Sequence, residues 1–215
     1  MNENLTLSNP AVELMASYLG FIDEQRSHGE TVWATMVPAS GEDAPEFIQR
    51  LRRAETAILP PLVTPTTTYW ATISTIVVGR AALRHALTPE LAEFGGHISY
   101  EVRPSYRRQG IATELLRQIL KTPKAKEIGT LLLTCDPANI GSNRTIRANR
   151  GQLLKTAFVE RIQRETNSYK TALATSHRAP PTRQRFRSEA QPSQPTRAHS
   201  YQLADTGGPG GASDA

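Results

Sequence analysis

The chain has 215 residues, 38% of them apolar, and 25 basic against 20 acidic side chains give it a net charge of +5. That length and apolar content suffice for one domain with a core; no run of 18 apolar residues occurs, which excludes a membrane-spanning helix. The single cysteine, Cys135, excludes an internal disulfide and a cysteine-based metal cluster, and the positive charge favours an anionic ligand.

Taken in order, Asn9-Pro10 reads as a helix start, a capping side chain followed by proline at the first helical position. Met15, Tyr18, Leu19 and Ile22 continue at helical spacing toward Gly29. Phe47, Ile48 and Leu51 mark a second, short helix over 45–53. The proline-bearing stretch 54–66 is expected to be a loop, 69–73 and 75–83 paired strands, and 84–94 a connection broken at Pro89. A strand over 97–102 leads to a helix from about Gln109 to Leu120, and then to a strand over 129–135. The unbroken Leu131-Leu132-Leu133 fits a strand buried on both faces. Two strands joined by a helix imply a right-handed parallel crossover. A helix over 142–149 and a closing antiparallel pair, 153–159 with 165–173, complete the pattern. From residue 175 Pro, Arg, Gln, Ser and Gly dominate, so 1–174 reads as one domain and 175–215 as a disordered tail. The N-terminus is polar and lacks a signal-peptide core, so a cytoplasmic protein is expected. No run of Lys and Arg exceeds two residues, which speaks against a dedicated nucleic-acid patch.

The most informative segment is 95–120. Its strand ends at Arg103-Pro104, a basic turn Arg107-Arg108-Gln109-Gly110 follows, and an amphipathic helix begins at once with Ile111, Leu115, Leu116, Ile119 and Leu120 on one face. The first turn of a helix leaves backbone N–H groups unpartnered, and the aligned peptide dipoles add positive charge there. Gly110 lets an anion approach the main chain, and two guanidiniums can fork onto phosphate oxygens. The bland alternative is a basic surface turn.

Arg107-x-x-Gly110-x-Ala112 resembles the cofactor turn of the GNAT superfamily of N-acetyltransferases, R/Q-x-x-G-x-G/A. The preceding His97-Ile98-Ser99-Tyr100-Glu101-Val102 strand is similar to that of the subgroup that acetylates ribosomal-protein N-termini. The stretch 131–142 resembles the next GNAT strand with its Asn-containing turn, and Thr67-Thr68-Tyr69-Trp70 with Gly95-Gly96-His97 resembles a bacterial branch of the superfamily. The likeness spans about residues 5–173. It implies an α/β (α+β) fold: a mixed, mostly antiparallel sheet, splayed between its fourth and fifth strands and flanked by helices. It implies acetyl-CoA as co-substrate in the splay. The N–H groups of Arg108, Gln109, Gly110, Ile111 and Ala112, beside Arg107, would take the pyrophosphate. Main chain at Val102 would pair with the pantetheine arm, and Asn139 and Ser142 would flank that arm.

Acetyl transfer needs a base, a held amine, a donor for the oxyanion and a proton for the thiolate. His97, where the resembling subgroup carries Glu, is the expected base, with a structural strand histidine as the alternative. Glu101 shares its face and could orient it or form an ion pair; Tyr100, on the other face, could shape the acceptor pocket or donate a proton. The family's usual Tyr seven residues after the turn Asn is Ile146 here, and Arg150 stands where Gly is usual. Cys135 is a core thiol or, less simply, an acetyl carrier. The expected reaction is direct acetylation of a small-molecule or peptide amine, without metal, membrane or specific nucleic acid. A non-catalytic acyl-CoA-binding regulator and a basic nucleic-acid-associated protein are the rivals, and a homodimer is left open.

Overall fold

The computed structural model describes residues 5–172. The expected tail over 175–215 and the end of the last strand at Leu173 lie outside them. Two sheets carry the fold. The first has the order β1-β2-β3-β4, the second β5-β7-β6, and every pairing within them is antiparallel.

β1 (Thr6–Ser8) is a three-residue strand paired with β2 (Thr66–Ile73). It keeps the chain extended, so Asn9 does not cap a helix; a single 3-10 turn over Val12–Leu14 leads instead into α1 (Met15–Ser27). α2 (Ala44–Arg53) begins with a capping box in which Asp43 accepts from the Glu46 N–H and Glu46 returns the bond. β3 (Ile76–Arg84) pairs with β2 and with β4 (Ile98–Val102). Pro89 does not break the intervening connection. Capped by Thr88, it starts the short α3 (Pro89–Glu93), the position where a missing N–H costs nothing. Thr122 and Pro123 do the same for α5 (Pro123–Ile128), a helix not expected from the sequence.

α4 (Ile111–Ile119) packs on β3 and β4 with Ile111, Leu115, Leu116 and Ile119 buried, each worth on the order of 2 kcal/mol. β5 (Thr130–Cys135) follows, then α6 (Ile140–Ala148), β6 (Gln152–Val159) and β7 (Arg164–Ala172). The Leu run of β5 is not buried on both faces: Leu131 and Leu133 are buried, Leu132 half-buried. The reason is the split in the sheet. The expected parallel ladder between the strands flanking α4 does not form, because β4 closes one sheet and β5 opens the other. A bond from His97 N–H to the Leu132 carbonyl, 2.7 Å, joins the two segments. Gly96 makes that approach feasible, since a Cβ there would lie 2.5 Å from the Leu132 oxygen.

Adjacent strand residues feed two cores. Ala71 and Val78 join α4, β5 and Tyr169, whereas Trp70 and Val77 join Tyr18, Phe21 and Phe47 from α1 and α2. The Trp70 and Tyr18 rings stack at 4.2 Å. No helix among the described residues is long and apolar enough to cross a membrane.

Candidate active site

A cleft of about 790 Å³ opens where the two sheets part, and both β4 and the turn before α4 line it. The turn is built from backbone that few residues adopt: Arg108 has φ +62° and Gly110 φ +82°, with Gly110 as the residue that caps α4. After Arg107, the first backbone N–H in this stretch to donate within the protein is that of Glu114, to the Gly110 carbonyl at 3.1 Å. Those of residues 108–113 have no partner among the described residues, and 107–110 are exposed. Six consecutive bare N–H groups at the positive end of a helix dipole form an anion cradle. Of the residues expected at the turn, Arg107, Arg108, Gly110, Ile111 and Ala112 line the cleft, and Gln109 does not.

Arg107 does not point freely at the cradle. Its guanidinium grips Glu30 at 2.5 Å, and its Nε donates to the Val102 carbonyl at 3.0 Å. The grip holds the Glu30 carboxyl below the ordinary carboxylate range. Glu30 lines the same cleft from the end of the first helical segment, 77 residues away, and nothing in the sequence signals the pairing.

Register fixes the main chain of β4. Arg84 donates to the His97 carbonyl (2.7 Å) and Arg103 to that of Val78 (2.9 Å), so the odd residues of β4 bond β3. Ile98, Tyr100 and Val102 therefore turn their N–H and C=O groups the other way, into the split. Across the cleft, Asn139 caps α6 by accepting from the Ser142 N–H at 2.9 Å, and the Ser142 hydroxyl meets the Tyr100 hydroxyl at 2.9 Å.

The expected catalytic side chains separate. Tyr100 lines the cleft, and burial pushes its hydroxyl up to about 12. His97 is not among the lining residues. Its Nδ1 accepts the Leu132 N–H at 2.9 Å, which makes the imidazole a clip between the sheets. Burial and then the charge of Arg84 push it below the ordinary histidine value, as suits a neutral acceptor. Glu101 does line the cleft. Its side chain is about one-quarter exposed, Arg80 approaches it at 3.4 Å, and burial outweighs that charge to raise its pKa above the ordinary carboxylate value. Glu101 and Arg80 share the α1–α2 face of the sheet, and Tyr100 packs on the α4–α6 side. Cys135 is buried at the cleft wall, and burial raises its thiol. Ile146 is fully packed, and Arg150 takes φ +64°, a conformation that suits the glycine expected there.

No protein of curated function matches the chain in sequence. Solved structures do match in fold. The Microcin C7 self immunity acetyltransferase MccE, in complex with acetyl-CoA and AMP, is 15% identical over 80% of this chain and 93% of its own, with a TM-score of 0.55. Ribosomal-protein-S5-alanine acetyltransferase from Vibrio fischeri is 10% identical over 79% and 93%, with a TM-score of 0.56. The ribosomal L7/L12 alpha-N-protein acetyltransferase RimL, in complex with coenzyme A, is 15% identical over 79% and 94%, with a TM-score of 0.54. The sequence profile of the acetyltransferase (GNAT) family matches residues 33–151, more than half the chain. With the split sheet and the bare turn at its edge, that match places the chain in the GNAT family of acetyltransferases.

Proposed function

We propose that the chain transfers the acetyl group of acetyl-CoA directly to a primary amine of a small molecule or a peptide. The observation that carries this reading is the row of unpartnered N–H groups over 108–113, set in the wall of a cleft of about 790 Å³. Acetyl-CoA and CoA in the similarly folded MccE and RimL support the choice of ligand. The RimL and S5-alanine enzymes support peptide N-termini among the acceptors.

When bound, acetyl-CoA supplies an acyl group already activated as a thioester. The chain's residues do the rest. The cradle over 108–112 holds the diphosphate, and Arg107 gives up its bond to the Val102 carbonyl so that strand main chain can pair with the pantetheine arm. The Val102 N–H, aimed into the split, is placed to meet the developing oxyanion. Asn139 keeps its amide nitrogen without a partner among the described residues, available to the arm's carbonyls.

Glu101, rather than His97, accepts the proton of the incoming ammonium. It faces the cleft, and a carboxylate with a raised pKa is a better base near neutrality than an ordinary one. Tyr100, on the opposite side of β4, returns a proton to the departing thiolate and recovers it through Ser142 and solvent, a role that Ile146 cannot fill. Cys135 is too buried and too weakly ionised to carry the acetyl group, which favours direct transfer. A lone cysteine fits a reducing compartment, and we place the activity in the cytoplasm. The test is an acceptor screen with acetyl-CoA, spanning small amines, amino acids and peptides and read as free thiol. Amine-dependent thiol release is expected; saturable CoA binding with no turnover on any amine would favour the acyl-CoA-binding regulator.

A further inference from the structure

We infer that Asn143 is the positioning residue for the pantetheine side of the cleft, an inference that rests on reading the cleft as a CoA site. Asn143 lies in the first turn of α6, directly behind the Asn139–Ser142 wall. Every polar atom of its amide is in use. Its Nδ2 donates to three loop carbonyls, those of Asp136 (3.0 Å), Pro137 (3.2 Å) and Asn139 (2.8 Å). Its Oδ1 accepts from the Tyr169 hydroxyl at 2.6 Å and from Asn167 Nδ2 at 2.8 Å.

The orientation of the amide follows from chemistry, because carbonyl oxygens only accept and a flipped amide would set oxygen against three of them. Tyr169 and Asn167 are buried in β7, the central strand of the second sheet, and Asn167 is held in turn by Thr156 of β6 at 2.6 Å. A continuous line of hydrogen bonds thus runs from β6 through β7 and Asn143 to the loop over 136–139. That loop has no strand ladder of its own; this line ties it to the second sheet, while the Tyr100–Ser142 hydroxyl contact at 2.9 Å ties the first turn of α6 to β4. No other side chain of this length supplies a donor and an acceptor at once, so Asp, Ser, Leu or Ala here leaves one half of the junction open.

The consequence is selective. The cradle over 108–113 is built on α4 and the first sheet; the Asn139–Ser142 wall is tied through Asn143 to the second, and α6 hydrogen-bonds the cradle helix at its far end, where Asn149 Nδ2 donates to the Thr113 carbonyl at 3.1 Å. Loosening Asn143 should weaken ligands that carry a pantetheine arm and spare those that reach only the cradle.

Isothermal titration of the full chain with CoA and with adenosine 3′-phosphate 5′-diphosphate, which keeps the diphosphate of CoA and lacks the pantetheine arm, separates the two. For Asn143→Ala the dissociation constant for CoA should rise at least tenfold while that for adenosine 3′-phosphate 5′-diphosphate stays within twofold. Tyr169→Phe, which removes one hydroxyl from the junction and keeps its ring, should weaken CoA about threefold with the same selectivity, and it decides the matter if Asn143→Ala does not fold. Unchanged CoA affinity, or an equal loss for both ligands, overturns the inference. Failure of the native protein to bind adenosine 3′-phosphate 5′-diphosphate at all would contradict the cradle reading instead.

Discussion

The cradle makes a sharp demand at Gly110. Its backbone sits at φ +82°, ψ 0°, and a Cβ built there meets nothing within 4 Å. Asn and Asp both fit the space and are the side chains most at ease in left-handed backbone, so each variant should lose only about 1 kcal/mol of stability. They have the same shape and differ by one charge. If a diphosphate rests on the bare N–H groups, the Asp carboxylate lies about 5 Å from two negative charges. Coulomb's law opposes that by about 2 kcal/mol in bulk water and about 6–7 kcal/mol at the effective dielectric of a protein surface. Taking about 3 kcal/mol, Gly110→Asp should bind CoA roughly 100-fold more weakly than Gly110→Asn. The gap should narrow as salt rises from about 0.05 to 0.5 M, because the site is exposed and screening shortens the reach of its charges. Calorimetric titration with CoA reads both effects, and thermal melts confirm that the two variants are equally folded. Equal dissociation constants for the Asn and Asp variants would refute the phosphate cradle.

Four further outcomes follow from the same geometry. Glu101→Gln should cut kcat by about 10²-fold or more while leaving the acetyl-CoA KM within threefold. Because burial raises the Glu101 pKa, the native rate should climb with pH through a limb above the ordinary carboxylate range, and that limb should vanish in the variant. Tyr100→Phe should lower kcat by about 10-fold or more with CoA affinity kept, since a hydroxyl pushed up to about 12 stays protonated throughout the working range. His97→Ala orphans the Leu132 N–H and should cost about 1–3 kcal/mol, seen as a lower Tm, with kcat changed less than threefold on the folded fraction. The His97 pKa is lowered in the folded state, so protonation favours unfolding: native stability should fall as pH drops below the unfolded value of 6.5, and part of that fall should be missing from His97→Ala. Arg150→Gly relieves a left-handed residue at φ +64° and should raise Tm by about 2–4 °C, for about 1 kcal/mol.

The bare turn before α4 was legible because it is local. Strand, glycine bend and amphipathic helix follow one another in about 25 residues, and of the residues named from that pattern Val102, Arg107, Arg108, Gly110, Ile111 and Ala112 line the cleft while Gln109 does not. Which of His97 and Glu101 lines the cleft was not legible, because what separates them is non-local. One is clipped to Leu132, 35 residues on, and the other is pressed against Arg80 from the neighbouring strand. Strand alternation put both on one face but could not say which would reach the cleft. The Glu30–Arg107 pair and the Asn143 junction were hidden for the same reason. Among the elements, Pro89 was misjudged as a break and the helix at Pro123 went unread, although each proline follows a capping threonine, a signal that was present in the chain. β1 is three residues long and held by its partner, too short for any periodicity to mark it.

The most direct measurement is a crystal structure of the full chain grown with CoA. The account predicts the diphosphate oxygens within hydrogen-bonding distance of the N–H groups over 108–112, Arg107 released from the Val102 carbonyl, and the thiol between Glu101 and Tyr100. A nucleotide seated elsewhere, with Arg107 still bound to Val102 and the turn bare, would contradict it.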